Sequence, residues 1–87
     1  MTGRLSGKKA VITGGAQGLG LAMGKMFLAE GADVTLTDLQ VDKVAAAAEE
    51  IGAAAGIEHD VSDEEAWKAA LAAAAEDMGG INVLVHN

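Results

Sequence analysis

With 87 residues the chain has room for one small domain, and an apolar share of 51% is enough for a folded core. A formal charge of −7 argues against nucleic acid or an anionic membrane surface as partner, because both need a basic face. Without cysteine there is no disulfide or thiolate metal site, and no apolar run approaches the roughly 18 residues of a membrane span; with no signal-peptide pattern at the start, the expectation is a soluble, cytoplasmic protein.

The β-branched run "KAVITG" reads as a buried strand over about 8–13. From Gly18 the pattern turns helical, with Leu19, Met23, Met26 and Phe27 recurring at spacings of three and four, and Gly31 placed to end the helix. "DVTLTD" (33–38) predicts a second strand. The following "VDKVAAAAEEI" sets Val41, Val44, Ala45, Ala48 and Ile51 on one helical face, stopped by Gly52. A third strand, low in side-chain bulk, is expected at 54–60. Next, "SDEEAWKAALAAAAEDM" opens with Ser62 three residues before Glu65, the spacing of a capping box. Its buried stripe would be Trp67, Ala70, Leu71, Ala74 and Met78, with Gly79 as terminator. "INVLVHN" (81–87) completes the series as a fourth strand.

The order β-α-β-α-β-α-β implies parallel strands joined by right-handed helical crossovers, so the fold class is α/β. A strand, a glycine-rich turn and a helix in immediate succession suit an anion. Amides at a helix start lack internal partners, the helix dipole places partial positive charge there, and glycine lets a phosphate approach the backbone. No lysine or arginine lies in "TGGAQGLG", so amides and dipole would carry the task unaided. The plainer alternative is that Gly14, Gly15, Gly18 and Gly20 only turn the chain.

Spacing removes two phosphate-binding motifs. A Walker A loop ending at Gly24-Lys25 would need glycine where Leu19 stands and Ser or Thr where Met26 stands. The GxGxxG fingerprint fails at Met23, leaving Thr13-Gly14-xxx-Gly18-x-Gly20. In that pattern the chain resembles the short-chain dehydrogenase/reductases, whose cofactor motif is TGxxxGxG after the first strand. Asp38 matches the acidic residue that binds the adenosine ribose in NAD-preferring members. "HDV" (59–61) resembles the family's Asp-Val step beside adenine. "INVLVHN" resembles the strand before its Asn-Asn-Ala-Gly motif, with Asn87 on the second asparagine and His86 replacing the first.

The resemblance implies half of a doubly wound Rossmann fold with strand order 3-2-1-4. It also implies a cofactor-binding set of Gly14, Ala16, Gln17, Gly18, Leu19, Gly20, Asp38, Leu39, Asp60, Val61 and Asn87. NAD is expected over NADP. A carboxylate at 38 accepts from both ribose hydroxyls and repels a 2′-phosphate, and neither Gln17 nor Leu39 supplies a cation to offset that charge. Asp38 read as a solvated turn residue, and Asp60 or Ser62 read as the start of the next helix, remain alternatives. His59 and His86 show no metal-ligand spacing and read as ordinary strand residues.

Catalysis in the family uses a serine with a Tyr-x-x-x-Lys segment. This sequence contains no tyrosine, so no catalytic residue carries over and no activity is expected of these 87 residues alone. The expectation is one truncated dinucleotide-binding domain over 1–87, lacking the catalytic C-terminal half. It would associate as a homodimer through the exposed edge or face of the sheet. The competing reading is a structural or self-assembling Rossmann module, natural or engineered, with a vestigial nucleotide site.

Overall fold

The computed structural model describes residues 5–86. Four parallel strands alternate with three helices: β1 (Lys9–Thr13), α1 (Gly18–Ala29), β2 (Asp33–Asp38), α2 (Val41–Ile51), β3 (Ala55–Glu58), α3 (Glu64–Met78) and β4 (Val83–Val85). The sheet order is β3-β2-β1-β4, half of a doubly wound Rossmann fold. Thr13 registers with Thr37, and Asp38 with Glu58, so the exits of neighbouring strands stand level at one end of the sheet.

Period-two alternation divides the strand residues between two unequal faces. Ala10, Ile12, Val34 and Leu36 point to one side and meet Val44, Ala47 and Ala48 of α2 in the main core, against which Met23 and Phe27 of α1 also pack. On the other side Val11 meets Ala74 and Met78 of α3 in a smaller cluster. Thr13, Thr35 and Thr37 belong to this second face by the same alternation, and all three are fully buried. It is therefore thinner and more polar than the first.

The helical faces differ in detail from their periodicity. Leu19 and Met26 lie outside, 66% and 59% exposed, while α1 turns Gly20 and Gly24 toward the sheet. A Cβ on Gly24 would stand 3.0 Å from Leu36 Cδ2 and 3.2 Å from Ile51 Cδ1, so backbone rather than side chain makes this contact. In α2 the buried residues are Val44, Ala47 and Ala48, and Val41 and Ala45 face solvent. Helix α3 is capped by Asp63, whose carboxylate accepts from the Glu65 and Ala66 amides at 2.9 and 3.3 Å. Ser62, the expected cap, is engaged instead with Asp60. The third and fourth strands are shorter than their sequence signals, because pairing covers only Ala55–Glu58 and Val83–Val85.

Candidate functional site

The loop leaving β1 is shaped by two left-handed glycines, Gly14 at φ 65° and Gly18 at φ 63°. Nothing would obstruct a Cβ at Gly18, so there the requirement is conformational alone. At Gly15 the limit is space, since a Cβ would sit 2.8 Å from Leu36 Cβ. Two hydrogen bonds fasten the loop to the end of β2. Gly15 N donates to the Thr37 carbonyl at 2.9 Å, and Ala16 N donates to Asp38 Oδ2 at 3.1 Å. The other carboxylate oxygen, Oδ1, accepts from Gln40 N at 3.1 Å.

Gln17 then starts α1 in an extended conformation without capping it through its side chain, and the first turn holds no acidic residue. The other two helices differ. Asp63 caps α3 ahead of Glu64 and Glu65, and α2 carries Asp42 in its first turn. Helix α1 is thus the one of the three whose N-terminal dipole meets no acidic side chain from its cap or first turn. An anion there would be held by main-chain amides, with Asp38 beside it as an acceptor for hydroxyl groups.

The structure places most of the expected positions at one end of the sheet. Gly14, Ala16, Gln17, Gly18, Leu19 and Gly20 form the β1 exit, Asp38 and Leu39 the β2 exit, and Asp60 and Val61 the β3 exit. Leu19, Leu39 and Val61 are apolar and exposed at this end, by 66%, 61% and 42%. Asn87 lies outside the described residues. Asp60 Oδ1 accepts from Ser62 N at 2.9 Å and from Ser62 Oγ at 2.6 Å, so it closes a turn before α3. The Ser62 hydroxyl and then the Ser62 amide hold the Asp60 carboxyl below its ordinary pKa.

One cluster was not visible in the sequence. His59, just beyond β3, is 1% exposed, and its Nδ1 is 3.0 Å from Thr37 Oγ1. Its Nε2 is buried without a hydrogen-bond partner. Trp67 of α3 stands edge-on to the His59 ring at 4.4 Å and to the His86 ring at 5.5 Å. The Trp67 indole N–H donates to the Val61 carbonyl at 2.7 Å. Each residue looks ordinary by itself; only the sheet order makes them neighbours.

Burial lowers the His59 pKa, with the Asp60 charge opposing and His86 adding to the shift. The unfolded chain therefore binds a proton near the ordinary pH of about 6.5, the folded chain only at lower pH. The stability due to neutral His59 is complete above that ordinary value and drains away as pH falls toward the lowered one. Urea unfolding at about pH 7.5 and about pH 5.5 should show lower stability at the acid end, with the His59→Gln variant less sensitive over that interval. An equal pH response in both proteins would contradict this role.

The parallel sheet with its glycine turn and acidic second-strand exit places the chain in the class of dinucleotide-fold α/β proteins. Comparison with known proteins narrows that class. The family described as short chain dehydrogenase matches residues 8–87. A 2,5-dichloro-2,5-cyclohexadiene-1,4-diol dehydrogenase of Sphingobium indicum is 47% identical over 88 residues, covering 97% of this chain and 35% of that protein. A 3-beta-hydroxysteroid dehydrogenase of Comamonas testosteroni is 42% identical over 92 residues, covering 100% and 35%. An NADP-dependent (R)-specific alcohol dehydrogenase of Lentilactobacillus kefiri is 40% identical over 90 residues, covering 100% and 36%. The crystal structure of a short chain dehydrogenase from Mycobacterium smegmatis superposes with a TM-score of 0.92 at 27% identity, covering 100% of this chain and 39% of that one. The chain belongs to the short-chain dehydrogenase family and corresponds to its NAD(P)-binding Rossmann region. It spans about a third of the length of these curated relatives.

Proposed function

We propose that the chain binds the adenosine and pyrophosphate portion of NAD, as the cofactor-binding part of an oxidoreductase, and transfers no hydride by itself. One observation carries this reading: the Ala16–Asp38 hydrogen bond sets the acid-free N-terminus of α1 beside a carboxylate at the end of β2. Pyrophosphate would rest on the amides of the first turn of α1, Gly18 to Gly20, since those of Gly15 and Ala16 are engaged by Thr37 and Asp38. Each Asp38 oxygen already accepts one amide and has acceptor capacity left for a ribose hydroxyl. Leu19, Leu39 and Val61 would give the apolar parts of the nucleotide something to rest on. When bound, the nicotinamide supplies a carrier for hydride.

Preference for NAD follows from Asp38, whose charge opposes a 2′-phosphate. The family as such does not fix that choice, since one relative is named NADP-dependent. The reading that the chain transfers no hydride by itself rests on its having no tyrosine for the family's Tyr-x-x-x-Lys segment. Self-association also belongs to this reading, because among the described residues β4 has a strand on one side only, and Leu84 on it is 49% exposed. Sedimentation velocity giving only monomer at high concentration would remove that part.

The test of the main reading is an amide NMR titration with NAD and, separately, NADP. NAD should shift Gly14 to Gly20 and Asp38 and saturate with a dissociation constant of about 0.1–1 mM, or roughly 4 to 5.5 kcal/mol. NADP should bind at least about tenfold more weakly. A well-dispersed spectrum that NAD leaves unmoved would favour the structural-module alternative.

A further inference from the structure

Trp67 occupies an unusual place in this chain. Strands β3 and β4 are opposite edges of the sheet, yet this side chain touches residues just beyond both. Its indole N–H also holds the Val61 carbonyl, and His59, beneath it, reaches Thr37 next to Asp38. Contacts therefore run from the β2 exit through His59 to Trp67, and from Trp67 to the β3–α3 loop and the β4 exit.

The sheet order decides which part of a nucleotide this arrangement would serve. If pyrophosphate lies at the β1 exit and ribose at Asp38 of β2, continuing outward brings the base to the β3 exit, at Asp60 and Val61. We propose that Trp67 is a positioning residue for the adenine end of the nucleotide, setting the Val61 backbone through its indole N–H and bracing it through His59 and His86. The proposal rests on the nucleotide reading above and adds to it a residue outside the glycine motif. Val61 is 42% exposed, and the Asp60–Ser62 turn beside it carries short-range hydrogen bonds of its own. The His59 amide ties the start of this turn to the Asp38 carbonyl at 2.9 Å, and Trp67 ties its other side, at Val61, to α3.

AMP and ribose 5-phosphate form a matched pair of probes, differing only in the base. Trp67→Phe keeps a ring against the two histidines and removes the N–H to Val61. In the unaltered chain AMP should bind more tightly than ribose 5-phosphate. In Trp67→Phe, checked for its fold by circular dichroism, AMP should weaken by about 3- to 10-fold while ribose 5-phosphate changes by less than about twofold. Trp67 is the chain's single tryptophan and there is no tyrosine, so its fluorescence gives a second readout that needs no variant. Emission should respond to AMP and stay constant with ribose 5-phosphate at equal saturation.

An unchanged preference for AMP in the folded variant overturns the positioning role and leaves the nucleotide reading standing. Equal weakening of both ligands also overturns it, because Trp67 would then support the fold in general. Emission that stays constant as AMP saturates counts against it even if the variant does not fold. If the unaltered chain binds neither compound, the nucleotide reading fails and the positioning role fails with it.

Discussion

Asp38→Ala is expected to weaken NAD binding by roughly 10- to 100-fold, equivalent to about 1.4–2.8 kcal/mol. The ribose would lose its carboxylate acceptor, and charge-assisted bonds of this kind contribute about 1.5–3 kcal/mol each, net of the water bonds they replace. NADP should lose much less, because removing the charge also removes its repulsion of the 2′-phosphate. The ratio of the two affinities would then approach one. The substitution has a second effect through the Ala16 and Gln40 amides, which lose their acceptor. Ala16 is 8% exposed, so this loss should lower stability by about 1 kcal/mol while the fold persists.

Asp38→Asn separates the two effects, since it keeps one acceptor oxygen but no charge. It should hold the loop better than alanine while losing most of the discrimination against NADP. Calorimetry or NMR titration with both dinucleotides checks the first effect, and urea unfolding the second. Unchanged NAD affinity in Asp38→Ala would leave the carboxylate a structural tie for the loop.

The largest expected effect on folding comes from Gly56→Ala. A Cβ on Gly56 would collide with the Val44 carbonyl oxygen and lie 2.8 Å from the Val44 carbonyl carbon and 3.0 Å from Ala45 Cα. All three are backbone atoms of α2, so no rotamer change can make room. The helix must move away from β3, disturbing Val44, Ala47 and Ala48 in the main core. Overpacking of this kind costs about 3 kcal/mol. In a domain of this size that corresponds to a fall of about 10–20 °C in Tm. Thermal unfolding followed by circular dichroism measures it directly, and a loss below about 0.5 kcal/mol would mean that α2 shifts freely. Because β2 separates Gly56 from β1 and its glycine loop, any surviving folded fraction should bind NAD as the unaltered chain does.

Most of the architecture was legible because it depends on local pattern. β-branched runs, helical spacing and terminal glycines recur in chain order, and they set the seven elements with errors confined to ends and faces. The α1 face departs from its periodicity: Leu19 and Met26 have helical spacing, yet Gly20 and Gly24 let the backbone itself approach the sheet. The α3 cap lies one residue beyond the capping-box serine, since Ser62 and Asp63 are both suitable types. The Asp63 carboxylate reaches the free amides, while Ser62 donates to Asp60.

By itself the sequence determined the alternating α/β order, the glycine turn with its tight spacing, and the acidic residue at the end of the second strand. Those features are carried by neighbours along the chain, where side-chain type and backbone freedom act directly. Tertiary structure alone decided that Asp38 holds the Ala16 amide, that Gly56 must be glycine, and that Trp67 joins His59, Val61 and His86. The reason is physical: each of these depends on which strands become neighbours and how closely a helix lies on them, and residues far apart in sequence meet only once the sheet has formed.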